Sequence, residues 1–166
     1  MYVRTAGERD VAPIRSLLAE TWHATYDAIY GRAKVDALLA DWHSVEAVRA
    51  RVTQPGSEFL VADDGKAIAG VAFATYDADT KKVTLHQLYV RPEMQGHGVG
   101  GLLLDEIEGA FPEAGTVRLE VEPANVKGVA FYVGQGFAKV GETSACGRPD
   151  SGIPADVYER AIVWAD

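Results

Sequence analysis

A single cysteine, Cys146, stands in a chain of 166 residues. That count excludes an internal disulfide and a thiolate metal site, and it points to a reducing compartment. Basic charge is also scarce: 16 Lys and Arg face 24 Asp and Glu, for a formal charge of −8. A general nucleic-acid binder needs clustered Lys and Arg against the phosphates, so that class is excluded. No apolar run is long enough to span a bilayer, and the opening MYVRTAGERD lacks the apolar stretch of a signal peptide. The expectation is a cytoplasmic protein that binds neither nucleic acid nor membrane. Internal repeats, low-complexity tracts and Pro/Ser-rich linkers are missing too. Residues 1–166 therefore read as one domain with a substantial core.

What is present alternates between strand and helix patterns. YVRTA reads as a first strand, and Thr5 with Glu8 fits a capping box before a helix running to about Tyr26. Val11, Ile14, Leu18, Trp22 and Ile29 recur at helical steps as one buried stripe. A second helical region follows, broken near DWHS, where Ser44 can cap VEAVRARV. SEFLVADDGKAIAGVAFATY is a hairpin turning at Asp63–Lys66, and KKVTLHQLYV adds an antiparallel neighbour after the turn DADTKK. GGLLLDEIEGAF is a helix, TVRLEVE a strand, and NVKGVAFYVGQ a helix stopped by Gly136. FAKVGET and ADVYERAIVW close the chain as strands. The predicted fold class is α/β with a mixed sheet, in the order β-α-α-β-β-β-α-β-α-β-β.

The segment VRPEMQGHGVGGLLLDEI contains Gly96-x-Gly98-x-x-Gly101, the spacing of a dinucleotide fingerprint, with Glu120 about twenty residues on. The fingerprint's first glycine should follow its strand directly. Here Arg91–Gln95 intervene, Pro92 cannot extend the ladder, and an antiparallel meander precedes the loop. NAD binding is therefore set aside. The physics of the loop remains: glycines bring main-chain amides close to a ligand, and a helix starting near Gly98 aims its positive end at the same place. No charged side chain lies between Gln95 and Gly101 with His97 neutral, so amides would bind the anion. A flexible surface loop is the alternative, but such loops seldom lead into a helix as apolar as LLLDEI.

LYVRPEMQGHGVG resembles the GCN5-related N-acetyltransferases, with Gln95, Gly98 and Gly100 on the signature Arg/Gln-x-x-Gly-x-Gly/Ala after a V-x-P step. NVKGVAFYVGQGF resembles the family's second motif through Asn125, Phe131, Tyr132, Gly136 and Phe137; Gly128 stands where alanine is usual. The element order fits as well. The resemblance implies that the HQLYV strand splays from RLEVE and that acetyl-CoA lies in the gap. Its pantetheine would bond the strand edge around Leu88, Tyr89 and Val90, and its pyrophosphate the amides of Gln95, Gly96, His97, Gly98, Val99 and Gly100. Asn125 and Tyr132 would approach near the sulfur.

The implied activity is acetyl transfer from acetyl-CoA to a primary amine of a small molecule or peptide, by direct attack in a ternary complex. Such transfer needs a neutral amine, a polarised carbonyl and a proton for the leaving thiolate. By resemblance Val90 N–H polarises the carbonyl. Tyr132 is the candidate acid, since a phenol's pKa of about 10 approaches that of an alkyl thiol; packing on the core is its bland role. Related members often carry Glu where Thr84 stands, and Thr84 cannot accept a proton. His86, two residues on and on the same strand face, is the candidate base, a satisfied half-buried histidine being the other reading. Glu120 and Glu122 share a face and could act through water, solvent-facing carboxylates being the commoner outcome.

Cys146 could carry the acetyl group, but nothing near it supplies an activating partner. His23, His43, His86 and His97 lack the close pairing of a zinc site, so no metal is implied. Trp22 and Tyr26 resemble the segment lining the acceptor pocket in many such enzymes, although Trp22 also belongs to the core stripe. The loop Ser144–Ala155 either covers the acceptor site or makes a homodimer contact. A non-catalytic acyl-CoA sensor of the same fold, kept open by Thr84, is the alternative to an enzyme.

Overall fold

In β-strands successive side chains alternate between faces, and a strand covered on both sides is apolar throughout. Ser57–Asp63 shows this: Phe59 and Val61 join one cluster of buried side chains, Leu60 and Ala62 another. The computed structural model describes residues 1–147 and 151–164. They form β1 (Tyr2–Thr5), α1 (Val11–Tyr30), α2 (Arg32–Trp42), α3 (Val45–Val52), β2 (Ser57–Asp63), β3 (Ile68–Asp77) and β4 (Lys82–Val90). Then come α4 (Val99–Gly109), β5 (Thr116–Val121), α5 (Val126–Gly134), β6 (Ala138–Thr143) and β7 (Ala155–Ala161). The strands make one sheet in the order β1-β2-β3-β4-β5-β7-β6, antiparallel except for β4 against β5. The mixed α/β architecture and the strand order along the chain are those expected, but three helices rather than two stand between β1 and β2, because the chain breaks at Gly31 as well as at His43–Ser44.

Helices cover both faces. Ile14, Leu17 and Leu18 of α1 and Val48 of α3 pack on Phe59, Val61, Val71 and Phe73. Leu103, Leu104 and Ile107 of α4 pack on Leu60, Ala72, Val83, Leu85 and Leu119 from the other side. Val129 and Tyr132 of α5 join that second layer.

Three expectations for the first helical region are corrected. The cap is not Thr5 with Glu8: a 3-10 turn, Glu8–Asp10, precedes α1, and Asp10 accepts the Gly7 N–H at 2.8 Å. Asp10 also holds Arg4 through two bonds of 2.8 Å, an interaction between charges that helical spacing does not reveal. The guanidinium keeps the Asp10 carboxyl below the usual carboxylate range, against its burial. Next, α1 runs to Tyr30 rather than Tyr26, and Gly31 separates it from α2. Ile29 is exposed on that last turn, while Leu17 and Tyr26 complete the buried stripe instead. Ser44 caps α3 as expected, accepting from Ala47 N–H at 3.1 Å.

The feature that positions the site is the parting of β4 from β5. The two strands pair only from Lys82↔Thr116 to Leu85↔Leu119. At that point the β3–β4 register slips, Ala74 facing Leu85 but Phe73 facing Gln87, so His86 is an inserted residue. Such a bulge bends its strand. Beyond it β4 follows β3 alone: Arg91 N–H bonds Ala69 O at 2.8 Å, and the Arg91 guanidinium reaches Ile68 O at 2.9 Å and Glu20 at 2.7 Å.

Candidate active site

The glycine segment closes one end of the gap. Gly96 and Gly98 have φ of +80° and +83°, left-handed values that a side chain disfavours, and Gly98 is the residue from which α4 starts. Leu102 N–H is bonded back to Gly98 O at 3.0 Å. The amides of Val99, Gly100 and Gly101 precede it in the first turn, where the helix itself supplies no carbonyl partner. They are joined by the helix's positive end and form a ready anion site. The Gln95 side chain turns inward, donating Nε2–H to Val90 O at 3.1 Å. The His97 side chain is exposed and stands apart from the wall that Gly96, Gly98, Val99 and Gly100 line, so its main-chain amide is what it offers the segment.

The free strand edge follows from register. Arg91 N–H bonds to Ala69, so main-chain groups at alternate residues, Tyr89 included, point toward β3. Those of Leu88 and Val90 point the other way, into the gap. The Tyr89 main chain is thus committed to the sheet, and its contribution to the site is its side chain.

Across the gap stands α5. Its cap is Asn125, whose side chain accepts Gly128 N–H at 3.1 Å. A Cβ on Gly128 would fall 2.6 Å from Asn125 Nδ2, so an alanine there would make the capping side chain shift. Tyr132 packs edge-on against Phe131 and Phe137, with ring centres 5.2 and 5.7 Å apart. It also lines the cavity, and burial together with the nearby Tyr89 phenol pushes its pKa up. Its hydroxyl therefore remains protonated at neutral pH.

One cavity of about 980 Å³ runs from the glycine segment through the gap to an aromatic end on the α1 side. Trp22 and Tyr26, both buried, border it with Trp42 and Tyr89. Trp22 lies 5.2 Å from Tyr26, 5.9 Å from Trp42 and 6.4 Å from Tyr89 between ring centres. Trp22 is thus both a core residue and a wall of the cavity. His86 faces the same space, its Nε2 2.8 Å from Thr75 Oγ1 and its ring 5.7 Å from Phe73. Although open to the cavity, it is enclosed closely enough that desolvation lowers its pKa, leaving the imidazole neutral at pH 7. Beside it, Gln87 is buried with Oε1 unpartnered.

Both carboxylates of β5's outer end border the cavity. Glu120 is tied at both oxygens, by Arg118 at 3.3 Å and by Gly147 N–H at 3.0 Å. Glu122 accepts the Tyr30 hydroxyl at Oε2. Burial raises its pKa, while Tyr30 and Lys34 pull the other way. Tyr30 is the residue that sequence reasoning missed, because its partner lies 92 positions away. Cys146 also borders the cavity, its thiol pushed up to about 12 by burial and by the charges of Glu120 and Glu122. Of the loop Ser144–Ala155, Cys146 and Gly147 reach the cavity wall; residues 148–150 lie outside the described residues.

Comparisons with known proteins agree with this geometry. Residues 26–147 match the model of the acetyltransferase (GNAT) domain family. The chain is 27% identical over 147 residues to a spermidine N(1)-acetyltransferase of Thermoplasma acidophilum, covering 85% of this chain and 89% of that protein. Its fold is similar to that of the PaiA N-acetyltransferase from Thermoplasma acidophilum in complex with coenzyme A. The TM-score is 0.84 at 22% identity, over 97% of this chain and 98% of that one. An acetyltransferase from Thermus thermophilus is also similar, with a TM-score of 0.74 at 17% identity over 97% and 96% of the two chains.

Proposed function

The chain belongs to the GNAT family of acetyl-CoA-dependent N-acetyltransferases, and on that premise we propose that its acceptor is a small cationic amine of the polyamine kind. The observation that carries the acceptor class is the aromatic end of the cavity with Glu122 at its side. Ring faces and a carboxylate attract an ammonium, whereas neither favours an anion. The name of the Thermoplasma relative, a spermidine acetyltransferase, supports the same class.

The residues fit acetyl-CoA. Main-chain N–H groups of Val99, Gly100 and Gly101 would hold its diphosphate without competing side chains, Gly96 and Gly98 let the chain turn there, and the Leu88 and Val90 edge would bond the pantetheine amides. When bound, acetyl-CoA supplies an activated acetyl thioester. Val90 N–H lies where it can polarise the thioester carbonyl. Tyr132, protonated and facing the gap, hands its proton to the departing sulfur. Asn125 holds the start of α5, and with it Tyr132, over the gap. On the acceptor side neutral His86 takes the proton the ammonium must lose, directly or through water. Trp22 and Tyr26 hold the amine and exclude bulk water. Transfer is by direct attack in a ternary complex, in keeping with the unactivated Cys146 thiol. The place of action is the cytoplasm.

A thiol-release assay over diamines, polyamines, amino acids, aminoglycosides and peptides tests this reading. Turnover is expected for diamines and polyamines first, with intersecting initial-velocity lines. Turnover of peptides alone would refute the acceptor class. Tight acetyl-CoA binding with no acceptor at all would favour an acyl-CoA sensor.

A further inference from the structure

The acceptor end already has a cation beside it. Lys34, exposed on α2, holds Nζ 4.6 Å from the centre of the Tyr30 ring. The Tyr30 hydroxyl is bonded to Glu122, and the Tyr26 ring lies 6.1 Å from that of Tyr30, tilted by 32°. Of the two carboxylates on this side, Glu120 has both oxygens engaged. Glu122 has Oε1 without a donor among the described residues. A ring face beside a carboxylate with a spare oxygen is the chemistry of an ammonium site. Lys34 supplies the ammonium from the chain itself, on a flexible stem and in contact with solvent, where a cation–π contact is weak and readily exchanged.

We propose that Glu122 and the Tyr30 ring form a subsite for a second ammonium of the acceptor, and that Lys34 is its resident stand-in, displaced when a diamine or polyamine binds. The proposal rests on the reading of the α1-side cavity as the amine site. It adds which residues select for a second charge. The reactive amine is served by the gap and the remaining rings; the second ammonium trades places with Lys34 and gains Glu122 Oε1. A monoamine gains nothing from this exchange.

The test compares kcat/KM for a primary alkylamine with that for the diamine of equal chain length, and uses their ratio, which cancels differences in active fraction. Glu122→Gln should lower the diamine-to-monoamine ratio roughly tenfold, the loss of one charge-assisted contact. Lys34→Met should raise the ratio severalfold by removing the competitor. Calorimetry with a bis-quaternary ammonium alkane, which cannot be acetylated, supplies a readout independent of turnover. It should bind wild type roughly tenfold more tightly than the mono-quaternary compound, an advantage lost in Glu122→Gln. A ratio unchanged in both variants, with amines still acetylated, would overturn the subsite while leaving the acceptor reading intact. Wild type that neither acetylates amines nor binds either quaternary compound would overturn both.

Discussion

The ring of Phe131 on α5 lies 3.1 Å from the point where a Cβ on Gly100 would stand. The glycine segment and α5 are therefore in direct contact across the mouth of the gap, and the absence of a side chain at Gly100 sets their spacing. Gly100→Leu should force the ring aside, shift α5 and weaken acetyl-CoA binding about tenfold or more, as read by calorimetry. Gly98→Ala acts differently. No neighbour lies within 4 Å, but φ is +83°, so the cost is backbone strain of about 1–2 kcal/mol and appears first as a lower Tm. Equal acetyl-CoA affinity in Gly100→Leu and wild type would contradict this contact.

Tyr132→Phe removes the proton donor and leaves the ring packing against Phe131 and Phe137. We expect kcat to fall about 100-fold with acetyl-CoA affinity within about twofold of wild type. Because burial raises the phenol's pKa, wild type should show no alkaline loss of rate from Tyr132 ionising below its ordinary pKa of 10.0. Stopped-flow thiol release from pH 6 to pH 10 checks both statements.

His86 sets the acid side. Its pKa in the folded state lies below the ordinary value of 6.5, with burial as the main cause. The neutral form is favoured by folding, so its contribution to stability is present above pH 6.5 and is lost as pH falls through the folded pKa. The acid limb of kcat/KM should likewise lie below pH 6.5 and disappear in His86→Gln, whose remaining activity should be flat there. An acid limb unchanged in the variant would assign it to another group.

Cys146 offers a cleaner contrast. A thiol pushed up to about 12 is almost wholly protonated at pH 8 and a poor nucleophile. Iodoacetamide should label native protein much more slowly than unfolded protein at that pH. Cys146→Ser should retain turnover within about threefold, and mass spectrometry of wild type with acetyl-CoA alone should show no acetylated cysteine. Stoichiometric acetyl-Cys146 would overturn direct transfer.

Local rules carried the glycine turn: a left-handed residue at Gly98 leading into apolar LLLDEI is legible residue by residue. The parting of β4 from β5 was legible only through resemblance, since its physical cause, the residue inserted at His86, depends on how β3 pairs with β4. The acceptor end was the least legible part. Trp22 shows the helical spacing of a core residue and is also a cavity wall, because the same ring has one face in each setting. Tyr30 and Glu122 meet across 92 positions, and only the extra turn of α1 beyond Tyr26 brings the phenol there. Asp10 took the capping role from Thr5 and Glu8 because Arg4 fixes its carboxylate, a charge pairing set by tertiary structure.

The inserted His86 also sets the parity of everything after it. Val83 and Leu85 before it, and Leu88 and Val90 after it, all turn toward α4, although Leu88 lies an odd step of three positions beyond Leu85. A β4 of the same length that paired with β3 without the bulge would exchange inside for outside downstream. Tyr89 would then meet the α4 layer, and the Leu88 and Val90 amides would be spent on β3. Losing the bulge while keeping His86 in regular pairing would thus disconnect the two halves of the cavity while leaving every motif in the chain readable.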